Sequence, residues 1–143
     1  MARLYGQKFK HKNVNFVSEL SGVTKPDICL ISCTLQYLEE PEDLIAKVLD
    51  ITDRLIILRH CETEFLRDRY AIQKICEPEV ELSWPIRFFR KGWLVDQLAT
   101  KHKIVGQFEM MEENNLDGVN VKLSSFAILR EALSPNASAA INN

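Results

Sequence analysis

Glycine is scarce in this chain of 143 residues, and no two of its five glycines lie close together. They are Gly6, Gly22, Gly92, Gly106 and Gly118. Sheets that bind nucleotides usually begin with a turn in which clustered glycines let the backbone approach the ligand closely. The sequence therefore lacks the glycine-rich loop of such a site.

An excess of charge and a long apolar run are also missing. The 18 basic and 20 acidic residues give a formal net charge of −2, which does not favour a nucleic-acid partner. No apolar run approaches the roughly 20 residues of a membrane-spanning helix. The first residues, MARLYGQKFKHKN, contain no apolar signal core. We therefore expect a cytoplasmic protein without a membrane span.

Four cysteines, Cys29, Cys33, Cys61 and Cys76, are expected to be thiols in a reducing compartment. Cys29 and Cys33 are four residues apart in a strand-like run, which separates them by about 13 Å. That distance is too large for a shared metal ion, and no other pair has the spacing of a ligand motif. No metal site is predicted.

The stretch DICLISCTLQYLEEPEDLIAKVLD, residues 27–50, predicts a strand, a polar turn and a helix. Residues 27–33 are apolar on both faces, as in a sheet that is covered on both sides. Pro41 suits a first helical position, and Leu44, Ile45, Val48 and Leu49 form one apolar stripe. A second doubly apolar strand follows at residues 53–60. Such a crossover implies parallel neighbouring strands.

The rest of the chain is predicted around this β-α-β unit. A short strand at residues 13–20 precedes the unit. Residues 61–89 form a long insert, in which residues 62–75 fit either one helix or an irregular segment. A helix at residues 90–102, with a basic end at 101–103, leads to two closing strands at 103–111 and 119–131, which form an antiparallel hairpin. We divide the chain into an irregular lead-in, 1–12, one α/β domain, 13–132, and a disordered tail, 133–143.

Several short motifs in this order resemble a known family. They are LQYLEEP at 35–41, LIILRH at 55–60, Gln73, SWPIRFF at 83–89 and KIVGQFE at 103–109. Together they resemble the carboxy-terminal part of the S-adenosylmethionine-dependent methyltransferase fold, and in particular a bacterial methyltransferase family of surface-polysaccharide gene clusters. The resemblance implies a partial Rossmann-like fold. Its sheet would contain strands three to seven of seven, mostly parallel from three to five, and would end in an antiparallel hairpin.

The chain also departs from that family. His60 and Cys61 follow Arg59 where a small residue and a proline are expected. The first strand, its glycine-rich turn and the acidic residue that ends the second strand have no counterpart in the sequence. Because these parts grip the cofactor, we expect this chain alone to bind S-adenosylmethionine weakly.

The resemblance places candidate site residues where the first two predicted strands end. Glu19 would lie near the cofactor's adenine, although it could equally be a surface cap. Ser32, Thr34 and Leu35 would bind the cofactor, and Gln36 would bind the substrate. Tyr37 is a candidate catalytic residue, or else a core aromatic residue with a solvated hydroxyl.

Further candidates follow the third strand and lie in the insert. Arg59 could anchor an anionic or sugar substrate through its planar guanidinium group, or it could form only a surface ion pair. His60 could accept a proton from an acceptor hydroxyl, or it could be an exposed imidazole without a role. Gln73 and Trp84 would contact the substrate, although Trp84 could also be a hydrophobic plug.

Three functions remain open from the sequence. The chain could be the carboxy-terminal portion of a methyltransferase that acts on a small-molecule or sugar acceptor. It could instead be a non-catalytic remnant whose open sheet edge binds a second copy or another protein. A small intact α/β domain that binds a different ligand at the same strand ends ranks last.

Overall fold

The computed structural model describes residues 17–77, 80–98, 101–116 and 118–131. The elements, in chain order, are β1 (Cys29–Ser32), a 3-10 turn (Leu35–Tyr37), α1 (Pro41–Ile51), β2 (Arg54–Thr63), β3 (Arg69–Glu77), β4 (Val80–Arg90), α2 (Trp93–Gln97), β5 (His102–Leu116) and β6 (Val119–Arg130). None of the helices in the described ranges is long and apolar enough to cross a membrane.

The β1-α1-β2 unit has the predicted parallel arrangement. Cys29 pairs with Leu55, and the parallel register continues to Ser32 beside Leu58. Helix α1 begins at Pro41, which needs no backbone donor at this position, and two acidic side chains occupy its first turn. The predicted apolar stripe of α1 is confirmed, because Ile45, Val48 and Leu49 are buried and Leu44 is half-buried.

Strand β2 is the centre of the sheet, whose order is β3-β4-β2-β6-β5 with β1 also beside β2. Strand β6 runs antiparallel along one edge of β2, from Arg54 to Glu62. The other edge is shared by β1 and, at Glu62 and Thr63, by the parallel end of β4. The predicted closing hairpin is confirmed, because β5 and β6 pair in antiparallel fashion. Of the strands that were expected to be parallel, β1 and β2 lie in the described residues and run parallel. The antiparallel pairs are β2 with β6, β5 with β6, and the two strands of the insert, β3 with β4.

One face of the sheet is covered and the other is largely open around β1. The covered face packs under the two helices through buried side chains that include Ile45, Val48, Leu49, Leu55, Ile57, Phe89, Trp93, Leu94, Phe126 and Ile128. On the opposite face, Leu30 is 61% exposed and Phe108 is 74% exposed. The prediction that the strands at residues 27–33 and 53–60 are covered on both faces is therefore wrong for the face that carries Leu30.

The predicted insert is a β-hairpin, neither a helix nor an irregular segment. Strands β3 and β4 pair from Arg69 beside Phe88 to Glu77 beside Val80. Its inner face packs Ile86 against Cys61 and Leu123, which covers part of the second sheet face. Pro85 lies opposite Ile72 in the β3–β4 pair, on a stretch of β4 that does not pair with β2. Strand β4 therefore has a paired neighbour on one side only at this position, where a residue without a backbone donor is tolerated.

Three further predictions are corrected or left open. Helix α2 ends at Gln97, and His102 and Lys103 belong to β5, so the basic helix end is wrong. The predicted strand at 13–20 is not found at residues 17–20, and residues 13–16 fall outside the described residues. The predicted lead-in, 1–12, and tail, 133–143, also fall outside them.

Candidate functional site

A compact turn follows the carboxyl end of β1. Cys33 adopts a left-handed conformation with φ of 51°, and its N–H donates to the carbonyl of Leu58 at 3.0 Å. The hydroxyl of Thr34 donates to the carbonyl of Ser32 at 2.7 Å. The N–H of Tyr37 donates to the carbonyl of Thr34 at 3.0 Å, which closes the 3-10 turn. These bonds fix where the Tyr37 side chain leaves the backbone.

The β3–β4 hairpin brings two predicted substrate residues to Tyr37. Gln73 and Trp84 lie opposite each other in the hairpin, so their side chains share one face of it. The Tyr37 hydroxyl donates to Oε1 of Gln73 at 3.0 Å, and Nε1 of Trp84 donates to the same oxygen at 3.0 Å. We call Cys33, Gln36, Tyr37, Gln73 and Trp84 the strand-end cluster.

The two hydrogen bonds fix the orientation of the Gln73 amide. Its oxygen accepts from both aromatic residues, so its NH₂ group must point away from those two donors. Gln73 is exposed and Trp84 is half-buried. The cluster therefore presents a polar amide donor group and part of an indole ring at the protein surface.

The strand-end cluster consists of neutral groups. Burial, followed by the neighbouring Cys33 thiol, raises the pKa of Tyr37, and weaker hydrogen bonds from Trp84 and Gln36 oppose the shift. The Tyr37 hydroxyl therefore keeps its proton near neutral pH and acts as a donor. Gln36 is only 3% exposed, and its Nε2 donates to Sγ of Cys33 at 3.3 Å. Such a surface suits an uncharged polar group of a ligand.

His60 does not join this cluster. The structure buries it to 1% exposure in the core, and burial lowers its pKa to about 4. A bulge in β2 causes this, because Leu58 and Arg59 together lie opposite a single residue of β6 and His60 is turned inward. Neither the proton acceptor at the site nor the exposed imidazole of the sequence interpretation fits this position.

Arg59 lies in the same bulge and is exposed, with a left-handed φ of 56°. Its backbone N–H donates to the hydroxyl of Ser125 at 3.3 Å. Such a conformation is uncommon for a residue with a side chain and costs roughly 1 kcal/mol or more. A role for Arg59 as a substrate anchor stays a prediction.

The predicted cofactor residues do not line one common pocket in the described part of the chain. Glu19 lines a groove of about 1030 Å³ between residues 18–21 and α1, together with Leu38 and Asp43. Ser32 and Thr34 belong to the turn beside the strand-end cluster and are exposed. Leu35 is 1% exposed, so it packs in the core and supports the turn from below.

Sequence reasoning missed the residue that anchors the hairpin to the rest of the fold. The guanidinium of Arg87 on β4 binds Oδ2 of Asp68 at 2.8 Å and Oε1 of Glu42 at 2.8 Å. Nε1 of Trp93 donates to the same Glu42 oxygen at 3.2 Å. Burial is the largest single influence and opposes ionisation of Glu42, but the hydrogen bond and charge of Arg87, together with bonds from the Glu42 backbone and from Trp93, lower its pKa. Nothing in the sequence pattern pairs Arg87 with α1.

Comparisons with known proteins give only structural neighbours. No protein-family model and no curated protein matches the chain. Among solved structures, the N-terminal domain of EvdMO1 with SAH bound is similar at a TM-score of 0.46 and 12% identity, over 80% of this chain and 50% of that one. The same domain in the presence of SAH and D-fucose gives the same score and identity, over 80% and 51%. This chain thus spans about half the length of those chains.

Proposed function

We propose that this chain provides the acceptor side of an S-adenosylmethionine-dependent methyltransferase site. The observation that carries the proposal is the contact of Tyr37, Gln73 and Trp84 beyond the carboxyl end of β1. Open α/β sheets bind ligands outside the carboxyl ends of their strands. The three residues come from three separate motifs of the family resemblance, and the fold brings them within hydrogen-bond distance.

The cluster fits the modest chemical demands of methyl transfer. A methyl group leaves a sulfonium when an acceptor atom is aligned with it and water is excluded, so positioning supplies much of the rate. In this proposal the Gln73 NH₂ group and the Trp84 ring orient a small-molecule or sugar acceptor. Tyr37 acts as a positioning residue that holds Gln73, since its raised pKa makes it a poor base.

The groove beside α1 is the proposed place for part of the cofactor. Its lining carries more acidic than basic side chains: Glu19, Glu39, Glu40, Asp43 and Asp50 against Lys47. A sulfonium cation is favoured near such a surface. Ser32 and Thr34 would contact the cofactor from the turn, while Leu35 would only support it. Because the sequence contains no glycine-rich turn, binding by this chain alone is proposed to be weak.

Isothermal titration calorimetry with S-adenosylmethionine tests the missing cofactor grip. The chain alone is expected to show no saturable binding at micromolar ligand. Saturation in the low micromolar range would contradict the proposal that only one wall of the site is present. The resemblance also implies a role in surface-polysaccharide synthesis. This role, and the cytoplasmic location expected from the sequence, are part of the same proposal.

A second candidate function is a non-catalytic module that binds another protein. The observation that favours it is the apolar sheet face formed by Leu30, Leu58, Phe108 and Leu129, all at least 36% exposed. In the described residues β1 also pairs with a strand on one side only. An apolar face beside an open strand edge favours association.

A further inference from the structure

His60 occupies an aromatic cage in the core. Its ring stacks on Phe89 with centroids 4.5 Å apart and on Trp93 at 5.5 Å, and Phe126 meets it edge-on at 6.1 Å. The β2 bulge turns this side chain inward, with Arg59 held at a positive φ. Strained backbone and bulges often occur at functional sites, and here they place a titratable side chain, His60, in the core.

Neither nitrogen of the His60 ring has a hydrogen-bond partner in the described part of the chain. Ser124 is paired with His60 across β2 and β6, and its buried hydroxyl also lacks a partner there. Buried polar groups normally find partners, because leaving them unpaired is costly. A neutral imidazole tolerates this environment better than a charged one, since burial penalises the charged form most.

Charged groups surround the cage without giving His60 a carboxylate partner of its own. Arg87 lies over the rings of Phe89 and Trp93, at 4.8 and 5.5 Å, and disfavours a second positive charge nearby. Asp68 favours protonation but already binds Arg87. The elements that pack here carry further charged residues. They are Glu42, Asp43, Lys47 and Asp50 on α1, Arg54, Arg59 and Glu62 on β2, Glu81 and Arg90 on β4, Asp96 on α2, and Lys122 and Arg130 on β6.

The cage also attaches the β3–β4 hairpin to the sheet. Strand β4 pairs with β2 only through Glu62 beside Phe89 and Thr63 beside Arg90. Phe89, the residue that stacks on His60, lies in this short junction. The same hairpin carries Gln73 and Trp84 to Tyr37. A change in the charge of His60 therefore acts at the base of the element that completes the strand-end cluster.

We propose that His60 is an acid-sensitive latch that holds the β3–β4 hairpin on the sheet. When His60 takes up a proton, the charged ring leaves the aromatic cage, the junction at Phe89 opens, and Gln73 and Trp84 move away from Tyr37. The inference is independent of the proposed methyltransferase function, because it concerns only the attachment of the hairpin.

Residue-resolved hydrogen exchange of the hairpin amides, corrected for the intrinsic effect of pH, tests the latch. The pKa of His60 falls from 6.5 in the open state to about 4 in the closed state. Two and a half pH units correspond to a roughly 300-fold change in the opening equilibrium. Between about pH 7 and about pH 4, where the closed state is half protonated, protection of the β3–β4 amides is expected to fall roughly 100-fold more in the native chain than in His60→Phe.

Two further variants complete the design. Circular dichroism at neutral pH shows whether His60→Phe folds. If it does not, His60→Leu replaces it in the comparison. His102→Gln removes another buried histidine, on β5, and should leave the acid response of the hairpin unchanged.

As the pH falls from 7 to 4, the native chain should lose more protection in the hairpin amides than in the β5–β6 amides, because the latch releases the hairpin alone. The inference is overturned if both His60 variants keep the full acid response, or if hairpin and β5–β6 amides share one protection value throughout.

Discussion

The hydroxyl of Tyr37 donates a hydrogen bond to Oε1 of Gln73, across 36 positions of the chain and between a turn and a hairpin. Trp84 donates to the same oxygen. A single amide oxygen therefore connects the carboxyl end of β1 to the inserted hairpin. Through these two bonds, Tyr37, Gln73 and Trp84, which come from three separate sequence motifs, form one surface.

The Tyr37–Gln73 bond should appear as a coupling energy in a double-mutant cycle. Tyr37→Phe and Gln73→Leu, alone and together, are expected to be non-additive by roughly 0.5–1 kcal/mol in urea unfolding, because each single change already breaks the bond. Tyr37→Phe combined with Gln97→Leu is the control, since the Gln97 amide bonds to the carbonyl of Trp93 instead. Strict additivity of the Tyr37 and Gln73 changes would contradict the contact.

Arg87 is expected to be the most sensitive charged residue of the hairpin. Its side chain is 13% exposed and bridges Glu42 and Asp68. Arg87→Met leaves both carboxylates without this partner and is expected to lower the free energy of unfolding by about 2 kcal/mol. Lys91→Met is the control, because the Lys91–Glu64 pair is 69% and 49% exposed and its loss should cause no measurable change. Equal effects of the two substitutions would argue against the anchor.

The buried His60 should make global stability depend on pH in a defined direction. Its folded pKa, about 4, lies below the ordinary 6.5, so the unfolded chain binds the proton more readily. The contribution of neutral His60 to the free energy of unfolding is therefore fully present above about pH 6.5 and is lost as the pH drops through about 4. The loss is on the order of 3 kcal/mol relative to His60→Leu, measured by urea unfolding at several pH values. Parallel pH profiles for the two proteins would rule this out.

The open face around Leu30 should promote self-association. In a purified sample the only partner for this face is a second copy of the chain. Light scattering after size-exclusion chromatography is therefore expected to show an average mass that rises with protein concentration. Leu30→Lys should reduce this rise by placing a charge on the face. Val95→Lys, at another exposed apolar position on α2, should leave it unchanged. A monomer at every concentration would count against the interaction module.

The β1-α1-β2 unit could be predicted because its signals are local. Pro41 marks the helix start, and one apolar stripe and two apolar runs fix the element types. The hairpin could not be predicted, because residues 62–75 contain no period that separates strand from helix. The register of this hairpin places Gln73 beside Trp84. Because the hairpin could not be predicted, the contact between these two residues could not be predicted either. The burial of His60 depends on a bulge, which has no marker in LIILRH.

The central claim is that the described residues form the acceptor wall of a methyltransferase-type site without the wall that grips the cofactor. A nuclear magnetic resonance titration of the isotope-labelled chain with S-adenosylhomocysteine tests it most directly, because it gives location and affinity together. Shifts are expected only at the amides of the groove, residues 18–21 and 38–44, and of the turn, residues 32–37, with a dissociation constant in the millimolar range. Saturation at low micromolar ligand, or shifts that avoid both segments at millimolar ligand, would contradict it.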